Sequence, residues 1–143
     1  MSLHPRLAGD CLRIGAFPLC ELLLMNDARY PWYILVPRRE GAREIYELAE
    51  ADQVQLLRES SWLSRAMAEA LAPDKLNIAA IGNLVPQLHV HHVARFRNDA
   101  AWPAPVWGHG TSEPYAPDAW QAACRPVMAL LAPELDAEPS AGF

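Results

Sequence analysis

The chain has 143 residues, 52% of them hydrophobic and 20% charged, with 12 Lys and Arg against 17 Asp and Glu. That size and make-up describe one globular domain able to bury a core without staples. The net charge of −5 argues against a general nucleic-acid partner, because phosphate affinity comes mostly from Lys and Arg, but it leaves room for a small anion in a locally basic pocket. Cys11, Cys20 and Cys124 are odd in number and form no C-x-x-C, so neither a disulfide framework nor a zinc ribbon is indicated. The opening MSLHPRLAGD holds no apolar signal core, and no apolar run approaches the ~18 residues of a membrane span. A cytoplasmic protein with reduced thiols and no membrane partner is expected.

Cys11–Phe17 and Leu19–Met25 are short apolar runs divided by Pro18, and both read as strands. The turn formers of Asn26–Pro31 lead into the β-branched and aromatic run Trp32–Val36, which Pro37 ends, so the second and third runs predict a hairpin. The period then changes. Asp52 with Gln55 three residues on suggests a capping box, and Leu56, Leu63, Met67 and Ala70 share one helical face. A long helix over Asp52–Ala72 is predicted, closed by Pro73-Asp74. Strand character returns at Lys75–Ile81, Gly82-Asn83 makes a turn, and Leu84–Phe96 reads as a further strand with Pro86 near its start. From Asn98 to Pro117 the prolines at 103, 105, 114 and 117 exclude regular structure, while Trp102 and Trp107 point to an ordered loop packed by its aromatics. Trp120, Cys124, Val127 and Leu131 predict a final helix that Pro126 breaks or kinks. Glu134–Phe143 reads as a frayed tail. The expected class is α+β, with a curved antiparallel sheet of about five strands.

Four of the five histidines lie between positions 89 and 109, three of them in His89-Val90-His91-His92. Alternate residues of a strand share a face, so Gln87, His89, His91, Arg95 and Arg97 project one way and Leu88, Val90 and His92 the other. Two imidazoles then reach a common ligand atom, and two guanidinium groups extend the line toward phosphate oxygens. Spacing alone also fits a polar sheet face whose histidines merely hydrogen-bond, or a zinc site of His89 and His91 with His109. Arg95 and Arg97 read as solvated charges at a strand end, His92 as a group packed or hydrogen-bonded on the opposite face, His109 as surface, Trp102 and Trp107 as packing anchors, and Cys124 as core.

The run Val85-Pro86-Gln87-Leu88-His89-Val90-His91-His92-Val93-Ala94-Arg95 resembles the signature of the histidine-triad (HIT) nucleotide hydrolases and transferases, His-φ-His-φ-His-φ-φ with φ apolar. Leu24-Met25-Asn26-Asp27 followed by Ile34-Leu35-Val36-Pro37 is similar to that family's first hairpin, where an Asn or Asp before the turn holds the nucleotide ribose. Asn77 and Gly82-Asn83 stand where the family sets an amide side chain and a Gly-x pair against the phosphate. The resemblance covers residues 10–97. Downstream, Trp102–Gly108 is similar to a bacterial branch labelled as hydrolases, of which diadenosine polyphosphates are the expected substrates. Five positions depart from the pattern: Gln87 takes the first triad place, Pro31-Trp32 stands where Gly-His is usual, His92 fills an apolar place, and Leu84 replaces a small hydroxyl residue. The first-strand His and first triad His are usually neighbours, so their joint loss resembles a coordinated replacement.

The resemblance implies one HIT-like domain over 1–143, in which a loop and helix over 98–133 follow the core and the tail begins at 134. It implies a homodimer, with which the five Trp are compatible, and a nucleotide pocket on the sheet face away from the long helix. His89 would attack the α-phosphorus of a purine nucleotide, either a dinucleoside polyphosphate or a nucleoside phosphoramidate, and water would release the monophosphate from a nucleotidyl-histidine. A neutral imidazole is a competent nucleophile near pH 7, and the backbone carbonyl of Gln87 would hold its other nitrogen in the right tautomer. His91 would donate to a phosphate oxygen and serve as general acid. Asn83, the Gly82 N–H and the Gln87 amide would stabilise the equatorial oxygens, and Asn26 would hold the ribose. Histidine attack requires no divalent metal, so no cofactor is expected. The alternative is a purine-nucleotide-binding protein of the same fold without turnover.

Overall fold

The computed structural model describes residues 1–136. Five strands form one antiparallel sheet: β1 (Cys11–Ala16), β2 (Cys20–Met25), β3 (Trp32–Pro37), β4 (Lys75–Ala79) and β5 (Val90–Arg95), in the spatial order β1-β2-β3-β5-β4. Helix α1 (Pro5–Asp10) precedes the sheet, α2 (Glu50–Leu71) links β3 to β4, and α3 (Ala119–Leu131) follows the Pro-rich loop. The class and the β2–β3 hairpin agree with expectation.

Side-chain alternation explains the layering. Leu22, Leu24, Tyr33 and Leu35 point to one face and meet Leu56, Leu63 and Met67 of α2 with Cys124, Val127 and Leu131 of α3. Leu23, Ile34, Val36 and Val93 point to the other, where Leu7 of α1, Tyr30, Trp32, Ala101 and Val106 cover them. β2 and β3 are thus buried on both sides, which is why they read as continuous apolar runs.

Four elements differ from the sequence reading. β5 begins at Val90, not Leu84. Gly82 adopts φ +63°, a Cβ there would stand 2.9 Å from the Val85 carbonyl oxygen, and Pro86 has no N–H for a ladder, so the chain over 82–89 runs outside the sheet. α2 starts at Glu50 with Ala49 at its cap and no side-chain capping bond; Asp52 instead pairs with Arg39 at 2.6 Å. The capping box lies earlier, between Glu44 and Glu47 of a 3₁₀ turn at Ile45–Glu47. Pro126 does not break α3: it lies on the exposed side, and so does Ala122, whose carbonyl it frees toward water. The tail is docked over its first residues, for the Asp136 N–H donates to the Ala16 carbonyl at 2.8 Å and the Leu135 side chain reaches Gly15. The remainder, 137–143, lies outside the described residues.

α1 carries only one buried residue, Leu7, and so no period to read. Its signals are punctuation. Pro5 occupies the first helical position, and the His4 Nδ1 accepts the Arg6 N–H at 3.1 Å. No helix among the described residues is long and apolar enough to cross a membrane.

Candidate active site

Pairing of β3 with β5 sets Ile34 opposite His91 and Tyr33 opposite His92, and β4 sets Ala79 opposite His91. β5 is therefore an interior strand, and its successive histidines enter different cores. His92 faces α2. Its Nδ1 donates to the Val90 carbonyl at 3.1 Å, so its Nε2 accepts from the Ser60 hydroxyl at 2.7 Å, and both nitrogens are used inside the protein. Burial pushes its pKa down to about 4.

His89 and His91 face the other way, with ring centroids 4.9 Å apart, edge to face. The His89 Nδ1 donates to the Gln87 carbonyl at 2.7 Å, which leaves the Nε2 lone pair free. This is the bond the family resemblance implies. Burial lowers the His89 pKa against the opposing pull of that carbonyl, and His4 nearby adds to the lowering, so the ring is neutral at pH 7. The indole of Trp32 donates to the His91 Nδ1 at 3.0 Å. An indole nitrogen only donates, so the proton of neutral His91 sits on Nε2. Burial, then His89, then His92 push the His91 pKa down to about 3. A neutral imidazole so held offers its Nε2–H as a hydrogen-bond donor. Trp107 packs against both His91 and Trp32, at 5.3 and 5.9 Å between centroids.

Gln87 enters this group through its backbone. Its side chain is taken by the N-terminal arm: Oε1 accepts the His4 N–H at 2.7 Å and Nε2 donates to the Ser2 carbonyl at 3.1 Å. The amide expected to face the phosphate therefore braces residues 2–4 instead. Trp32 and Gln87, expected as a coordinated pair, hold separate partners, one on each side of the two imidazoles.

Gly82 stands beside His89, its ideal Cβ position 3.7 Å from the ring, and Asn83 next to it is exposed. The other two expected ligand residues are engaged elsewhere. The Asn77 Oδ1 accepts from Arg95 at 2.8 Å, and the Asn26 Oδ1 accepts the Tyr115 N–H at 2.9 Å.

Arg95 is not a solvated strand-end charge. It is 2% exposed and forks onto Asp99 at 2.8 and 3.0 Å, with further bonds to Asn77 and the Ala104 carbonyl. Burial raises the Asp99 pKa, but the Arg95 guanidinium and the N–H groups of Phe96 and Trp102 outweigh it and hold the carboxyl well below its usual range. This cluster ties the Pro-rich loop to β5 and so carries Trp107 onto His91. Its signal was present as an Arg and Asp four residues apart across a strand end. Arg97 does lie exposed, its backbone bound to Asp74.

Two clefts reach the partners of the imidazole pair, one at Trp32 and one at Gln87. One of about 430 Å³ is lined by Trp32, Asn26, Arg29, Arg6 and the exposed His109. The other, of about 640 Å³, lies between the N-terminal arm, Glu40–Arg43 and Gln87. A cavity of about 10 Å³, which shares Arg43 and Gln87 with the second cleft, touches His89, Gly82 and Glu44, room for about one water. The zinc reading lacks its third ligand: among the described residues no three His, Cys, Asp or Glu side chains converge.

Comparison with known proteins extends over most of the chain. The model of the HIT domain matches residues 8–98. A histidine triad protein from Marinobacter aquaeolei VT8 is 49% identical, with a TM-score of 0.89 over 93% of this chain and 97% of its own. One from Bradyrhizobium japonicum is 47% identical (TM-score 0.85, 94% and 98% covered), and one from Sinorhizobium meliloti 1021 is 42% identical (0.88, 91% and 96%). No match was found among curated proteins.

Proposed function

Since this chain belongs to the HIT domain family, whose members are typically nucleotide hydrolases or transferases, we propose that it is a hydrolase or nucleotidyl transferase acting at the α-phosphate of a purine nucleotide. One observation carries the reading: the His89 Nδ1 is committed to the Gln87 carbonyl while its Nε2 lone pair stays free beside the Nε2–H of His91. One ring supplies electrons and its neighbour supplies a hydrogen-bond donor, as displacement at a phosphorus with charged oxygens demands.

In this mechanism the His89 Nε2 bonds to the α-phosphorus as the bond to the leaving group breaks. The nucleotidyl-imidazolium keeps its Nδ1 proton on the Gln87 carbonyl. Water then attacks the phosphorus, the electron pair of the N–P bond returns to Nε2, and one proton goes to solvent. Gly82 and Asn83 border the phosphate, and Asn26 with Arg29 receives the nucleoside in the cleft beside Trp32. Asn77 acts by seating Arg95. The separate clefts at Trp32 and at Gln87 favour a substrate with a group at each end, such as a dinucleoside polyphosphate.

The chain forms a homodimer in this reading. β4 is an edge strand, and Ile78 on it joins Val54 and Leu57 of α2 and Ile45 in an exposed apolar surface lining a hollow of about 520 Å³.

Rapid mixing with an adenylated phosphoanhydride, acid quench and mass spectrometry test the proposal. The expected result is an AMP adduct on the wild type that is absent from His89→Ala. AMP binding without adduct or turnover would make the protein a nucleotide-binding member instead.

A further inference from the structure

Trp32 occupies an unusual place. Its indole N–H is spent on a side chain of the site, not on the backbone, and it is the only hydrogen bond recorded to the His91 ring among the described residues. Trp107 closes over the same ring, and neither indole titrates. We propose that Trp32 is a positioning residue that fixes His91 as a permanent Nε2–H donor, so that His91 binds a phosphate oxygen but never delivers a proton to the leaving group.

The geometry requires this assignment. With Nδ1 accepting at 3.0 Å from a group that can only donate, protonating Nδ1 would set two N–H groups against each other in a site where the ring is 5% exposed. The groups facing His91 do not relieve that conflict. Neutral His89 lies two residues before it, neutral His92 follows it on β5, β3 offers Trp32, β4 offers Ala79, and the loop offers Trp107.

The consequence falls on substrate class, and this half rests on the nucleotidyl-transfer reading above. When the His89 Nε2 displaces a phosphoanhydride, the P–O electron pair leaves on the bridging oxygen as a stable anion, and no proton is needed. When it displaces a phosphoramidate, the P–N electron pair leaves on nitrogen, which must gain a proton to depart as an amine. His91 does not supply that proton, so it comes from solvent. The site therefore discriminates for anhydrides, and the discrimination grows as solvent protons become scarce.

Nitrogen-15 correlation spectra of the full chain read the first half directly. Between pH 5 and 8 His91 is expected as one neutral tautomer, protonated at Nε2, with scalar coupling across the N–H···N bond from the Trp32 indole. A proton on His91 Nδ1, or no coupling to Trp32, would overturn the proposal. In Trp32→Phe, or with benzothienylalanine at 32 to keep the indole shape without its N–H, the single tautomer is expected to give way to a mixture that titrates nearer 6.5; an unchanged His91 spectrum would equally overturn it. For the second half, kcat/KM for a P¹,P⁴-dinucleoside tetraphosphate is expected to stay within about twofold from pH 7 to 8, where His89 is already neutral, while that for an adenosine phosphoramidate falls up to about tenfold, the loss of one solvent proton. Equal, pH-independent turnover of both would refute the leaving-group claim. Absence of turnover with either would refute the nucleotidyl-transfer reading and leave the tautomer result standing.

Discussion

The two sides of the segment 89–95 handle the same side chain in opposite ways. On the helix face His92 spends both ring nitrogens inside the protein, on the Val90 carbonyl and the Ser60 hydroxyl. On the other face His89 and His91 each spend one, and the spent nitrogen differs, so that one ring keeps a lone pair and the other keeps a proton. All three are buried and neutral. Burial therefore does not separate a structural histidine from a chemical one; the number of nitrogens left over does.

The largest expected contrast separates turnover from stability. His89→Asn is expected to lose about 10³-fold or more in kcat/KM while urea unfolding moves by less than ~1 kcal/mol. A large stability loss with turnover retained would reverse the roles given to the two faces. Asp99→Ala leaves the buried Arg95 unpaired and is expected to cost about 3–5 kcal/mol by urea unfolding, loosening the loop that seats Trp107. Ser60→Ala tests the helix face: the His92 Nε2 loses its partner at an expected cost of about 1–3 kcal/mol, with kcat/KM within about twofold of the wild type. The last contrast is in acid. The folded pKa values of His91 and His92, about 3 and about 4, lie below the unfolded value near 6.5. Between those limits the unfolded chain binds more protons, so stability is full above about pH 6.5 and falls as pH drops toward 4, by up to about 1.4 kcal/mol per pH unit for each ring. A flat unfolding free energy from pH 6.5 to 4.5 would mean that these rings are not held neutral.

Much of this arrangement was legible in the sequence. The continuous apolar runs of β2 and β3, the helical period of α2 and the alternation of His89 and His91 each depend on local periodicity, which a sequence displays. What escaped depends on contacts between distant segments. The strand predicted from Leu84 starts six residues too early because Pro86 reads as tolerated within it and Gly82 only as the turn before it, when together they keep 82–89 off the ladder. Arg95 was read as exposed because the loop that buries it has no period. Trp32 was noticed as a substitution, but the proton it fixes on His91 follows only from a bond that spans 59 positions. Gln87 was expected to point at substrate, and the arm that claims it lies 83 positions away.

The clasp of Trp32 and Trp107 around His91 gives the molecule a built-in optical reporter. Two of its five indoles touch one imidazole, so their emission should register whatever arrives at that ring. Ligand screening then needs no dye, no label and no coupled assay, only the intrinsic light of the protein followed as candidate nucleotides are added.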